Sequence, residues 1–196
     1  MRLRLLIFSG LLTAALISCS ENAGTENAEE KANEPATHVS DPAGVPREDR
    51  IKRIEELEVQ VVSEGDQPTE STARKLMGEY IDFTNFQHND ELVPEYLFRA
   101  GTWANYIGRK KKAVELFTNL YTNYKSFDKR PEAMNMVAFI YDFELNEKQK
   151  AKEAYAVLIK AYPDHSFAND ARMRLETIDL TDEELIKQFE QQNKPS

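Results

Sequence analysis

The sequence predicts an all-α protein, a stack of three to four antiparallel helical hairpins closed by a C-terminal capping helix. Three observations predict it. Ala113, Leu116, Phe117, Leu120, Tyr121 and Tyr124 fall at i, i+3, i+4, i+7, i+8 and i+11, one stripe on a 3.6-residue period. Ala151, Ala154, Tyr155, Leu158, Ile159 and Tyr162 repeat those offsets 38 residues later, and a shorter version runs from Ala73 through Leu76, Met77 and Tyr80 to Ile81. Pro94-Glu95 and Pro131-Glu132 recur 37 residues apart, each near a predicted helix start, where the missing N–H of proline costs nothing. Helices that carry one apolar stripe each and recur at near-constant spacing bury those stripes by stacking.

From the first residue, Met1 to Arg4 is short and basic, and Leu5 to Ile17 is apolar apart from Ser9, Gly10 and Thr13. This is the build of a secretory signal, placed at residues 1–18. As a helix the apolar part reaches about 20 Å, short of a hydrocarbon core about 30 Å thick, so it is not read as a membrane span. The only cysteine, Cys19, follows directly. Leu16-Ile17-Ser18-Cys19 resembles the bacterial lipobox, whose cysteine receives diacylglycerol and becomes the first residue of the mature chain. The other reading is an ordinary signal with an incidental thiol. With one cysteine no intramolecular disulfide forms, so stability comes from packing.

Residues 19–46 are rich in Glu, Asn, Ala, Thr and Pro, with Val39 and Val45 the only large aliphatics. A segment of that composition cannot bury enough apolar surface to offset the entropy of ordering, and is read as a disordered acidic tether from lipidated Cys19. Its root-mean-square span is about 30 Å, enough to hold a folded part clear of a bilayer. The chain carries 34 Asp and Glu against 25 Lys and Arg, a formal charge of −9. That balance excludes tracking along a nucleic-acid backbone, and confines membrane attachment to the lipid.

Residues 47–68 read as a short helix and linker. Ile51, Ile54 and Val61 have amphipathic spacing that fits either a first half-repeat or the start of a coiled coil. Residues 69–192 form the repeated helical domain. Gly101 lies 12 residues before Ala113, and Ala138 lies 13 before Ala151; a small residue there lets two helices of a hairpin approach closely. Gly108 and Leu145-Asn146 mark the turns between first and second helices, the extra residue of the later hairpin being assigned to its turn. Thr181 and Glu184 make a capping box, Leu180 and Leu185 a hydrophobic staple, and the helix from about 182 to 191 offers Leu185, Ile186 and Phe189 as a lid on the array.

The pattern of small residue, Ala113 and Phe117, echoed by Ala138, Ala151, Tyr155 and Pro163, resembles the tetratricopeptide repeat. Leu97 stands where that family often has tryptophan, and Lys125 where the first repeat would close on proline. The stretch KAYPDHSFANDARMRLE, residues 160–176, resembles the linker of longer tetratricopeptide units in envelope lipoproteins. The likeness extends, in repeat pattern only, to the lipoprotein subunit of the outer-membrane β-barrel assembly machine and to tetratricopeptide periplasmic coordinator proteins. It implies a groove lined by the first helices of the hairpins, taking a protein or peptide partner in the envelope. By position in the repeat, Phe98, Asn105, Tyr106, Asn135 and Phe139 are expected to look into it. Ser20, in place of the aspartate that resembles an inner-membrane retention signal, points the anchored protein to the outer membrane of a Gram-negative bacterium.

Chemistry is sparse. His38, His88 and His165 have no metal-ligand spacing, and neither a nucleophile elbow nor a phosphate-cradling glycine loop occurs. Asp142 and Glu144, two apart on a helix, do not face each other. The reading is therefore a scaffold or adaptor with no catalytic residue, metal or cofactor. The rival is a hydrolase or small-ligand-binding lipoprotein whose site is built from scattered carboxylates. Of Phe98, Trp103, Tyr106, Phe139, Tyr141 and Phe143, four are expected in the core. Arg109, Lys110, Lys111 and Lys112 begin a helix, where the dipole disfavours positive charge; they are either a solvated turn or a dock for an acidic segment of the partner.

Overall fold

The computed structural model describes residues 44–192, and the signal, Cys19 and all but the last three residues of the tether lie outside them. Eight α-helices follow in order: α1 (Arg47–Ser63), α2 (Glu70–Phe86), α3 (Val93–Tyr106), α4 (Lys110–Asn123), α5 (Arg130–Phe139), α6 (Lys148–Ala161), α7 (Ser166–Thr177) and α8 (Asp182–Gln192). From α1 to α7, each helix packs on the next, and α7 also reaches α5. Among the described residues there is no strand. The architecture is the all-α, tetratricopeptide-like stack of hairpins α1–α2, α3–α4 and α5–α6, continued by α7 and α8.

The apolar stripes are the buried ones. Ala113, Leu116, Phe117 and Leu120 of α4, Ala151, Tyr155 and Leu158 of α6, and Ala73, Leu76, Met77 and Tyr80 of α2 are all buried, while the outer members of each stripe are half-buried. Helix α1 belongs to the first hairpin, with Ile54 fully buried and Ile51, Leu57 and Val61 packed against the same core. A second cluster joins α5, α6 and α7 through Met134, Ala138, Tyr155, Leu158 and Ala171.

Close approach within the α3–α4 hairpin has an identifiable cause. A Cβ built on Gly101 would lie 2.8 to 3.0 Å from ring carbons of Phe117, so the hydrogen of Gly101 makes room for the aromatic ring of the facing helix. Gly108 turns the chain between those helices at φ 77°, and Asn146 turns it before α6 at φ 52°, both in the left-handed region. Pro94 and Pro131 sit in the first turns of α3 and α5.

Two expectations are corrected. The extra residue of the later hairpin is not in its turn. It lies inside the helix, where α5 runs on into a π-helical turn over Ile140–Glu144, and Leu145 N–H donates to the Ile140 carbonyl at 2.9 Å across five residues. A wider turn is how a helix absorbs one residue while keeping both flanks in register. The lid expected of α8 is only half made. The capping box forms, with Thr181 N–H on Glu184 Oε2 at 2.9 Å and Glu184 N–H on Thr181 Oγ1 at 3.2 Å. Leu180 and Leu185 are half-buried, but Ile186 and Phe189 stay 58% and 55% exposed, because α8 turns its Leu185–Gln188 edge inward instead.

Candidate partner-binding face

Helix α3 positions three of the expected groove residues, and each of them makes a contact inside the protein. Phe98 is half-buried, edge-on to Phe117 at 5.6 Å between centroids, with the ammonium of Lys129 5.2 Å above its ring. Asn105 accepts from Lys110 Nζ through both its backbone carbonyl and Oδ1, each at 3.0 Å. Tyr106 is exposed at the ring, which stands edge-on to Trp103, while its hydroxyl donates to the Pro68 carbonyl at 3.0 Å and so ties α3 to the α1–α2 connection.

The basic run is largely accounted for locally. Arg109 caps α4, its N–H on the Ala104 carbonyl at 2.8 Å. Lys110 sits where the dipole of α4 disfavours it, but its ammonium reaches back to the Asn105 carbonyl near the C-terminal, negative end of α3. It also pairs with Glu144 of the π turn at 3.1 Å. Lys112 pairs with Glu115 at 2.8 Å, and Lys111 is exposed.

Helix α5 and its π turn make the more open surface. Asn135 is half-buried one turn before Phe139. Phe139 and Phe143 lie against each other at 4.9 Å and are 39% and 57% exposed. Of the six aromatics, Phe98, Trp103 and Tyr141 pack against the core, and Tyr106, Phe139 and Phe143 do not. That is three in the core, not four, because the π turn swings Phe143 outward. Met173, on neighbouring α7, is 60% exposed.

Beneath this surface lies a built polar joint. Asp142 is buried, and Arg174 of α7 donates to both its carboxylate oxygens, Nε to Oδ2 at 2.6 Å and Nη2 to Oδ1 at 2.8 Å. The Tyr155 hydroxyl donates to Oδ2 from α6 at 3.3 Å. Burial first, and then the adjacent Asp142 charge, push the Tyr155 phenol above its ordinary range. The bidentate hydrogen bonds from Arg174 to Asp142 hold that guanidinium above its usual value. Its Cζ lies 4.8 Å from the centroid of the Phe143 ring, so one Arg side chain both crosses from α7 to the π turn and contacts the aromatic. Glu144 is turned away onto Lys110, so Asp142 and Glu144 do not converge. Among the described residues no group of three or more His, Cys, Asp and Glu is placed to hold a metal ion.

Sequence reasoning missed Phe143, Met173 and the Asp142–Arg174 joint as parts of the face. The step of four from Phe139 to Phe143 was a usable signal. Met173 and Arg174 were not visible as a set, because nothing in the spacing tells which face of α7 meets α5.

The tetratricopeptide repeat family matches residues 132–165, which hold most of α5, the π turn, α6 and the turn into α7. No curated protein matches the chain. The matched hairpin is the one that carries Phe139 and Phe143, and the class the fold defines is a tetratricopeptide-like repeat stack, an architecture used for protein–protein interaction. No helix of the described residues is long and apolar enough to cross a membrane.

Proposed function

We propose that this protein is a non-catalytic adaptor that holds a protein partner on the exposed face of its third hairpin, tethered to a bacterial cell envelope by lipid on Cys19. The observation that carries the binding half is the Phe139–Phe143 pair. The fold buries most of its apolar stripe residues, yet leaves these two rings side by side and open, with Met173 exposed on the next helix. Covering an exposed large apolar side chain is worth about 1.5–3 kcal/mol, and grouped exposed apolar residues mark interaction surfaces. Their rigid mounting supports the same reading, since an anchor held by Arg174 loses little entropy on binding.

The anchoring half rests on the sequence: a basic start, an apolar stretch, Leu16-Ile17-Ser18-Cys19 and a polar tether. Ser20 favours the outer membrane. A photo-crosslinking side chain in place of Phe143 is expected to trap a protein partner in intact cells, whereas one at exposed Val157 on α6 is not. Equal capture from both positions would remove the binding face. Cys19→Ser is expected to abolish fatty-acid labelling and release the protein from the membrane fraction; labelling that persists removes the anchor.

A further inference from the structure

Resting on the adaptor reading, we infer that the partner segment is amphipathic and basic, apolar side chains flanked by Lys or Arg. The charges around the exposed rings carry this. On α5, Glu132 precedes Phe139 by two helical turns on the same side of the helix, and Asn135 lies between them. On α7, Asp170 and Glu176 stand one turn before and one turn after Met173. Among the described residues no cation pairs with Glu132, Asp170 or Glu176.

The nearby cations are already engaged. Arg174 is held by the buried carboxylate of Asp142, and Lys110 by Glu144. Arg172 folds back onto Asn169 Oδ1 and the Pro163 carbonyl, both at 2.7 Å. Exposed Phe139, Phe143 and Met173 therefore share α5, its π turn and α7 with three carboxylates that no cation among the described residues pairs with, while Arg172 and Arg174 are both engaged internally, on a chain whose formal charge is −9. An acidic segment laid on the rings would meet like charge at both ends. A basic one is attracted at the rim while its apolar residues cover the rings, the division of labour that gives selectivity and fast encounter. Within the basic run at Arg109 to Lys112, read from sequence as either a solvated turn or a dock for an acidic segment, Lys110 is paired with Glu144 and Lys112 with Glu115.

The test uses the full chain and three synthetic peptides of about three helical turns. The first two share one leucine face and differ only in Lys or Glu flanks; the third has the Lys composition in shuffled order with no apolar face. The Lys-flanked peptide is expected to bind at least about tenfold more tightly than the Glu-flanked one at low salt, the ratio shrinking as salt rises. Phe143→Ala with Met173→Ala is expected to abolish binding. Glu132→Gln with Glu176→Gln is expected to narrow the ratio without unfolding the protein, since both carboxylates lie outside the core. If the two flanked peptides bind equally, and Phe143→Ala still removes binding, the charge inference falls and the adaptor face stands. Loss of all Phe143-dependent binding would overturn both. Equal binding of the shuffled peptide would reduce the effect to general attraction by an acidic protein and overturn the inference. Sedimentation showing a dimer that Phe143→Ala dissociates would make a second copy the occupant, and overturn it too.

Discussion

Gly101 shows how much one missing methyl group decides. Its helical backbone would accept alanine, and the change would add about 1 kcal/mol of helix propensity. The new Cβ, however, would stand 2.8 Å from the ring of Phe117, which is fully buried and has no space to retreat. Overpacking of that kind costs about 1–3 kcal/mol. Gly101→Ala is therefore expected to lose about 1 kcal/mol net in urea unfolding, and Phe117→Leu in the same chain is expected to cancel part of that loss, the two residues being in contact. Three of the eight tyrosines offer a second test at this scale. Burial first, then Glu58, raises the phenols of Tyr80 and Tyr96, and burial first, then Asp142, raises that of Tyr155. Each stays neutral in the fold, so its contribution is fully present below the unfolded value near 10 and is lost as pH rises through the folded one. Near-ultraviolet absorbance should show these three ionising only as helicity collapses in alkali; normal titration of all eight with intact helices would show that the burial is wrong.

Among the elements, the π turn is the one that matters for the proposed face. An uninterrupted α-helix would rotate the residues after Ile140 by about 100° per residue gained or lost. The turn instead absorbs the extra residue and lets Asp142 meet Arg174 while Phe143 points outward beside Phe139. Removing the carboxylate leaves Arg174 facing a largely buried site without its partner, a change that costs about 3–5 kcal/mol. Asp142→Ala is accordingly predicted to lower the unfolding midpoint strongly, and the companion change Arg174→Met to recover much of the loss. If Asp142→Ala alone proves neutral, the joint is not a structural element. Helix α8 stands at the other extreme. Its hold on the array is a capping box plus the half-buried Leu180 and Leu185. Thr181→Ala costs the helix about 1 kcal/mol, and hydrogen exchange should quicken in residues 182–192 while global stability barely moves.

At the scale of the molecule, the core divides into a cluster spanning α1 to α5 and a second joining α5, α6 and α7. Arrays in which each unit touches its neighbours store stability as a sum of local and interface contributions. Leu158, fully buried in the second cluster, should cost about 2–5 kcal/mol when cut to alanine. Amide exchange is predicted to rise in residues 148–178 more than in residues 70–120. A uniform rise across both regions would mean that the two clusters unfold as one.

The sequence alone determined the helices other than α7, which falls in the stretch 160–176 that resembled a linker, and their order and buried stripes, because a 3.6-residue period of apolar side chains is a local signal that survives without knowledge of neighbours. It also located the close approach at Gly101, the turns at Gly108 and Asn146, and the capping box of Thr181 and Glu184, each set by short-range backbone geometry. What tertiary structure decided is where charges and rings end up after the hairpins stack. Lys110 is neutralised by Glu144, 34 residues away; Arg174 crosses to Asp142, 32 residues away; and Phe98 is taken into the packing while Phe143 is left outside. None of these pairings has a sequence period, because each depends on which faces of separate helices meet, and a π turn of one residue is enough to change the answer.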